Sequence, residues 1–301
     1  MQTKILTKTF CKSKLFTDSW YIAYRRKHSN IIDDKSSTFT IIENMMNCWA
    51  ADPFVVEVAG RVYIFAELYD CTRGRGVIGY YELDNLEKKW KTAIIEPYHL
   101  SYPHIYQKGN DIYLMPEAIA SQTLYCYRAI NFPDKWEKLE PIRKNVRYAD
   151  TSVFEWKDKE LALTYRMLEN GQYDLVLLDF QDQTKDKVIE LTDIDLRRPG
   201  GKVCSKECIR VAQNCREGYG KGLIFYRFDI DEYGNYVEKE IERVFPEQLT
   251  LSQNVYLEGM HTYNMSDHYE VIDIKTRKFN LLQFTLRAKA KLKRVVAKQW
   301  D

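Results

Sequence analysis

The chain has 301 residues, 45% apolar and 29% charged, which excludes a disordered chain and allows one large domain or two ordinary ones. Its 45 Lys and Arg nearly balance 43 Asp and Glu, so a net charge of only +2 gives no global basic field for nucleic acid. No apolar run approaches the roughly 20 residues needed to span a bilayer. Met1–Lys14 also lacks the continuous apolar stretch of a secretory signal. The seven cysteines (11, 48, 71, 126, 204, 208, 215) therefore read as reduced thiols of a cytoplasmic protein.

In chain order, short alternating runs of Val, Ile, Tyr and Phe between turn residues predict strands. Trp20–Arg25 is the first. From Ala51 a long-period repeat begins. Ala51–Glu67 and Ser101–Glu117 align at an offset of 50 with no gap, so that Pro53/Pro103, Tyr63/Tyr113 and Glu67/Glu117 coincide. A third copy spans Ala149–Arg166. A fourth is read from Arg210 (Arg-Val-Ala-Gln-Asn) with Gly222–Phe228 returning, and a fifth from Gly259 (Gly-Met-His-Thr-Tyr-Asn) with His268–Ile274 returning. Only the third-to-fourth interval is long, at about 61 residues. Between the hairpins lie weaker strands, among them Leu124–Tyr127 and Leu175–Phe180. Four strands repeated about every 50 residues make a propeller blade. The expectation is an all-β chain: a five-bladed β-propeller over residues 1–285, with Trp20–Arg25 closing the ring. The rival is a two-sheet sandwich with an accidental likeness between two hairpins.

The last segment, residues 286–301, is a basic amphipathic tail. Ala288, Leu292, Val296 and Trp300 recur every four residues among six Lys and Arg, which predicts a short C-terminal basic helix. Such a helix suits an anionic membrane surface at the inner face, or a docked helix with a solvated basic side.

In a propeller the first strand of each blade lines the central channel, and a hairpin starts and ends on one rim. The start slots are then Asp52, Tyr102, Asp150, roughly Val211, and His261. The end slots are Glu67, Glu117, Arg166, and Arg227 or Phe228. Carboxylates, arginines and a histidine converge on one funnel, the pattern of a small-ligand site.

Trp49-Ala-Ala-Asp-Pro-Phe, His99-Leu-Ser-Tyr-Pro, Tyr113-Leu-Met-Pro-Glu, Tyr125-Cys-Tyr-Arg-Ala with Phe132-Pro-Asp-Lys-Trp, Asp150-Thr, Arg198-Pro-Gly-Gly, Arg210-Val-Ala-Gln-Asn and Gly259-Met-His-Thr-Tyr-Asn follow one another in this chain. Together they resemble the β-propeller domain found N-terminal in plant glucosamine inositolphosphorylceramide transferases. The likeness covers nearly the whole chain. It departs at Arg210-Val-Ala-Gln, where the family has Arg-Pro-Ala-Gln, and at Arg198-Pro-Gly-Gly, where it has Arg-Pro-Ala-Gly. The plant transferase domain has no counterpart here, so its sugar transfer does not carry over directly. The resemblance implies a glycan setting, surface-polysaccharide assembly in the stand-alone bacterial relatives. More distantly, Asp52-Pro is similar to the opening of the five-bladed glycoside hydrolases, which implies a general base or nucleophile at Asp52.

Inverting glycosyl chemistry needs a protonated carboxyl group and an ionised one about 6.5–9.5 Å apart. The pair expected here is Asp52 as base and Glu117 as acid, with Asp150 raising the acid's pKa. Glu67 and Glu207 compete for the acid role. Asp52-Pro equally suits a strand-capping turn, Glu117 a buried partner of Arg166 or Arg198, and Asp150-Thr a structural corner. His99, Glu67, Arg166, Arg198, Arg210, Gln213 and His261 are the expected ligand contacts. The arginines suit an acidic sugar or a nucleotide-sugar donor. The expected ligand is a sugar, an oligosaccharide or a nucleotide sugar, with no cofactor. Cys204, Cys208 and Cys215 fit no four-ligand zinc spacing, so no metal is expected there. Gly74, Gly76 and Gly79 precede no helix, so they mark a hairpin rather than a phosphate loop. The alternative function is a glycan-binding or scaffold propeller without turnover.

Overall fold

The computed structural model describes residues 16–190 and 193–279. Among them the only helical segments are four short 3-10 turns, and the remaining regular structure is strand. The period-two alternation of apolar residues builds five blade sheets. Blade 1 holds Cys48–Val58, Arg61–Asp70, Arg75–Glu82 and Lys91–Ile94. Blade 2 holds Ser101–Lys108, Asp111–Glu117, Tyr127–Asn131 and Lys135–Lys138. Blade 3 holds Tyr148–Trp156, Lys159–Met167, Tyr173–Asp179 and Lys187–Ile189, and blade 4 holds Ile209–Gln213, Leu223–Ile230 and Tyr236–Val244. Blade 5 joins Tyr263–Met265 and Tyr269–Phe279 to the N-terminal strands Phe16–Arg26 and Thr40–Ile41. Phe16–Arg26 pairs with Tyr269–Phe279 without a break (Ala23 opposite Ile272), which closes the ring and removes two open edges. The tail from residue 286 lies outside the described residues.

Each interface between blades has its own apolar core. Phe54, Phe65, Leu100 and Leu114 pack blade 1 on blade 2, and Met115, Val153 and Val176 pack blade 2 on blade 3. Phe154, Leu175 and Phe228 join blades 3 and 4, Val211, Phe225 and Ile272 join 4 and 5, and Ile22, Val55 and Val271 join 5 and 1. Burying each such side chain contributes about 1.5–3 kcal/mol. Leu124–Tyr127 is not one strand. Thr123–Leu124 pairs with Arg143–Lys144 outside the blade, and Tyr127 starts the third strand of blade 2.

The fourth blade starts earlier than its sequence repeat suggests. Its innermost segment is residues 198–204, upstream of Arg210. Gln213 N donates to Arg198 O at 2.8 Å, Gly200 N to Val211 O at 3.0 Å, and Cys204 and Ile209 exchange both backbone bonds. Ile209–Gln213 is thus the second strand, and Val211 is a core residue at 5% exposure. Asp150 to Arg198 is 48 residues, so the third interval is regular and the long one falls between blades 4 and 5.

Segment 198–204 carries two adjacent glycines because it crosses the channel axis. A Cβ on Gly201 would sit 2.0 Å from Tyr263 O, and one on Gly200 2.8 Å from His261 O. Every other blade grips this segment. Gly201 O accepts from Tyr102 Oη (3.1 Å) and Ser152 Oγ (2.9 Å). Lys202 N donates to Asn264 Oδ1 (2.6 Å), and Lys202 Nζ to Val55 O (3.1 Å). The channel is therefore plugged, with a cup above and a cavity below.

Candidate functional site

The cup is shaped by one backbone device used three times. The innermost strands of blades 1, 2 and 3 each carry a β-bulge, between Ala51 and Phe54, Ser101 and His104, and Ala149 and Ser152. In each bulge one residue sits in the left-handed region: Asp52 at φ 53°, Tyr102 at φ 43° and Asp150 at φ 52°. Bulges re-aim a side chain and sharpen the local twist. Here they turn backbone amides toward the neighbouring blade. Asp52 N donates to Asp273 Oδ2 of blade 5 (3.1 Å), and Tyr102 N donates to Asp52 Oδ2 (3.2 Å).

Five carboxyl groups share the cup. Asp273 sits deepest and is fully buried. Its Oδ1 accepts the amides of His261 (2.8 Å) and Thr262 (2.9 Å), and its Oδ2 lies 2.6 Å from His261 Nδ1. The other ring nitrogen, Nε2, lies 3.2 Å from Asp52 Oδ1, which also accepts from Thr262 Oγ1 (2.9 Å). Asp273, His261 and Asp52 thus form a continuous line. Burial opposes a charge on His261, but Asp273 and Asp52 outweigh it and raise its pKa. Burial pushes Asp52 up to about 6, with repulsion from Asp150 and Asp273 working against the pull of His261.

On the far side, Asp150 Oδ2 accepts from Arg198 Nε (2.5 Å) and Gln213 Nε2 (3.0 Å). Arg198 Nη2 lies 3.7 Å from Glu117 Oε2. Burial drives the Glu117 pKa well above the usual carboxylate range. Repulsion from Asp150 and a hydrogen bond to it raise it further, against the pull of Arg198. Glu67 is raised well above that range too, by burial and by repulsion from Asp52 and Glu117. Its neighbour is His99, whose Nδ1 accepts the Gly76 amide (2.8 Å). The neutral ring therefore carries its proton on Nε2, 3.5 Å from Glu67 Oε1. Gly76 has no side chain because a Cβ would lie 2.5 Å from Glu67 Oε1.

Aromatic rings frame the mouth. Trp49 stacks on Tyr69 (4.5 Å, 7°), and Tyr69 leads to His99 (6.2 Å). From the opposite side the loop between Gln213 and Leu223 brings Tyr219 edge-on to His261 (5.0 Å) and within 5.3 Å of the Arg198 guanidinium. Gly220 at φ 67° lets this loop lie flat, since a Cβ there would meet Trp20 at 2.9 Å. Tyr219 is 44% exposed and the His99 side chain 37%, whereas Asp52 is 5% exposed.

Asp52, Glu67, His99, Glu117, Asp150, Arg198, Gln213 and His261 therefore meet in one cup. Arg166 does not join them, because strand alternation turns it to Asp174 (2.6 Å). Its neighbour Tyr165 faces Arg198 instead, at 5.8 Å. Arg210 also lies elsewhere, buried in blade 4 with both its Nε and Nη2 on Glu238 (2.5 and 2.8 Å). Gln213 takes the fourth end slot assigned to Arg227 or Phe228, and Phe228 is core. Glu207 contacts Cys204 at the opposite mouth, below the plug. Cys204 and Cys208 bracket that lower hairpin, while Cys215 begins the upper loop. Sequence reasoning missed Asp273, Tyr219 and the Trp49–Tyr69 pair. An acid inside the apolar run Val271-Ile272-Asp273-Ile274 was the available signal for Asp273. Asp52, His261 and Asp273 place ligand atoms within 4.8 Å of one another, the grouping among the described residues with the geometry for a cation.

Residues 35–272 match the family described as Glucosamine inositolphosphorylceramide transferase 1, N-terminal, and the chain belongs to it. Glucosamine inositolphosphorylceramide transferase 1 of Arabidopsis thaliana is 25% identical over 246 residues, 76% of this chain and 31% of the relative. Its counterpart in Oryza sativa subsp. indica is 26% identical over 204 residues, 60% of this chain and 26% of the relative. The chain thus spans less than a third of the length of these curated relatives. Among solved structures, a family 32 β-fructofuranosidase of Bombyx mori superposes with a TM-score of 0.50 at 13% identity, over 88% of this chain and 59% of that one. That likeness is one of fold.

Proposed function

We propose that this family member is a carbohydrate-active propeller whose cup takes a saccharide and transfers or hydrolyses a glycosidic bond with two carboxyl groups. One observation carries the reading. Burial and repulsion from Asp150 favour the protonated form of Glu117, while Asp52, raised to about 6, is the carboxyl that His261 pulls toward its ionised form. A proton donor and a proton acceptor therefore coexist in one water-poor cup at the same pH. Glu117 gives its proton to the leaving oxygen. Asp52 takes one from water or an acceptor hydroxyl, relayed against the His261–Asp273 pair. Asp150 holds Arg198 and keeps Glu117 protonated. The Trp49–Tyr69 stack and Tyr219 offer flat apolar faces to a sugar ring, with polar groups between them. The relatives, glucosamine inositolphosphorylceramide transferases and, in fold, a β-fructofuranosidase, support a glycan substrate. A setting in surface-glycan or glycolipid assembly at the cytoplasmic membrane face, reached through the basic tail, belongs to the same proposal.

A second reading, glycan binding without turnover, is favoured by the enclosure of Asp52 beneath Thr262, His261 and the Tyr102 amide. The test is a panel of 4-nitrophenyl glycosides and nucleotide sugars, followed by product release and by calorimetry. Turnover lost in both D52N and E117Q with binding retained supports the enzyme. Binding without turnover in the wild type supports the second reading, and the absence of both overturns the proposal.

A further inference from the structure

The described chain enters and leaves the ring at one place. Trp20 packs on His261 in the cup at 4.2 Å, and its strand starts four residues further up, at Phe16. The returning strand passes Asp273 and runs six residues more to Phe279, about 20 Å. Phe16 and Phe279 face each other across the pair, so residues 1–15 and 280–301 both attach on the cup side of the propeller.

Those two segments hold the chain's positive charge. Residues 1–15 contain four Lys and no acid, and residues 280–301 contain six Lys and Arg against one Asp. With the whole chain at +2, residues 16–279 are left at −7. Large apolar residues stand among the lysines in both segments, Ile5, Leu6 and Phe10 in one and Phe284, Leu292 and Trp300 in the other. The exposed arginines of the rim are already paired, Arg73 with Asp70, Arg216 with Asp193 and Arg277 with Glu258.

The same rim presents apolar tips. Met46 is 88% exposed just before the first strand of blade 1, and Ile95 is 58% exposed one residue past Ile94, which pairs through Ile78 to Glu67. Tyr256 is 77% exposed two residues before Glu258, whose amide donates to Lys275 O (2.8 Å). Leu86 and Tyr233 are as exposed on the opposite face, so apolar tips alone do not choose between the faces. Charge does. An anionic surface attracts basic segments and repels an acidic body, which turns the cup side toward it. Lysines with apolar side chains between them suit the boundary of head groups and acyl chains.

We propose that the cup side of the propeller, with its two basic segments, docks on an anionic lipid membrane, so that the mouth of the cup faces the head groups. The proposed membrane setting thereby gains a specific face and a second anchor, and the docking holds whether or not the cup turns over a sugar.

The test is flotation of the full chain with phosphatidylcholine vesicles, with and without about 30% phosphatidylserine. The wild type is expected to float with the anionic vesicles alone and to be released by about 0.5 M salt. The triple variants K4E/K8E/K12E and K289E/K291E/K293E should each weaken binding at least about tenfold. M46D/Y256D should weaken it about tenfold with an unchanged melting midpoint, and L86D/Y233D should leave it as it is. Equal effects of these two apolar pairs would overturn the orientation. Flotation with pure phosphatidylcholine to the same extent, tighter binding to duplex DNA than to the vesicles, or terminal variants that float like the wild type would overturn the docking. No flotation at all would overturn it too, and would leave the acidic body of the propeller as the partner of both segments.

Discussion

Replacing Asp52 with Asn should make the protein more stable while ending its activity. A carboxyl group raised from 3.8 to about 6 by folding burdens the native state by about 3 kcal/mol once both states are ionised. The sign follows from proton counts. Between pH 4 and 6 the folded chain binds the Asp52 proton and the unfolded chain does not, so stability falls as pH rises through that window. Above it the burden is constant, and Asn removes it. The amide fits the site. Turned with its oxygen toward the Tyr102 N–H, it presents its NH₂ to His261 Nε2, which accepts when Nδ1 keeps its proton toward Asp273. Asn also tolerates φ 53° better than most residues. That burden is already net of the attraction to His261, so the gain is about 3 kcal/mol and the rise in melting midpoint on the order of 6 °C. Urea unfolding followed by tryptophan fluorescence at pH 7 and pH 4 measures it. The gain should be present at pH 7 and absent at pH 4. A D52N protein destabilised at pH 7, or changed equally at both pH values, would refute the assignment of a buried, repelled carboxylate.

K202M should likewise stabilise the chain by about 3 kcal/mol at neutral pH, because burial lowers the Lys202 pKa from 10.5 to about 8. That burden is complete below pH 8 and is relieved as pH rises toward 10.5, so the gap between the two proteins should close in alkaline urea melts. G201A should lower the melting midpoint, since its Cβ would meet Tyr263 O at 2.0 Å; overpacking of this kind costs about 1–3 kcal/mol or more. R198A takes the only guanidinium from the buried Asp150 carboxylate and should cost about 3–5 kcal/mol in the same melts. R166A, which breaks a half-buried pair with Asp174 away from the cup, should change stability by about 1 kcal/mol and sugar binding not at all.

The ring was legible because blades 1 to 3 repeat both spacing and residue type, and Trp20–Arg25 alternates as a closing strand must. Blade 4 was misplaced for a physical reason. Its innermost segment gives up side chains at Gly200 and Gly201 to cross the axis, so it carries no alternation and reads as a turn. The nearest pattern that looked like a strand was the second one, which moved the start slot to Val211 and hid that Arg198 and Gln213 are neighbours. The repeat puts Arg166 in the end slot and the structure puts Tyr165 there, because the repeat fixes position only to about a residue, while strand pairing decides which face a side chain takes. Asp273 lies mid-strand, where no slot argument reaches; it belongs to the site because the bulge at Asp52 points its own amide outward at the neighbouring blade.

Under the proposed function, what sets the cup apart is where the costs fall. Asp52, Tyr102 and Asp150 each hold a left-handed backbone without being glycine, at roughly 1–2 kcal/mol apiece. Glu67, Glu117 and Asp52 are held where burial and mutual repulsion oppose their charges. The fold needs none of this: blade 4 replaces the bulge residue by a plain crossing segment, and the same apolar cores join its neighbours. Structural carboxylates in this chain behave oppositely. Glu238, beneath Arg210, is lowered: burial opposes its charge but the arginine outweighs it. Acids that serve the scaffold are matched to a base, whereas those in the cup outnumber their bases and stay unmatched at one end of one channel. Local rules broken together in one place, with the scaffold intact around them, are the physical signature of a site selected for chemistry or recognition rather than for stability.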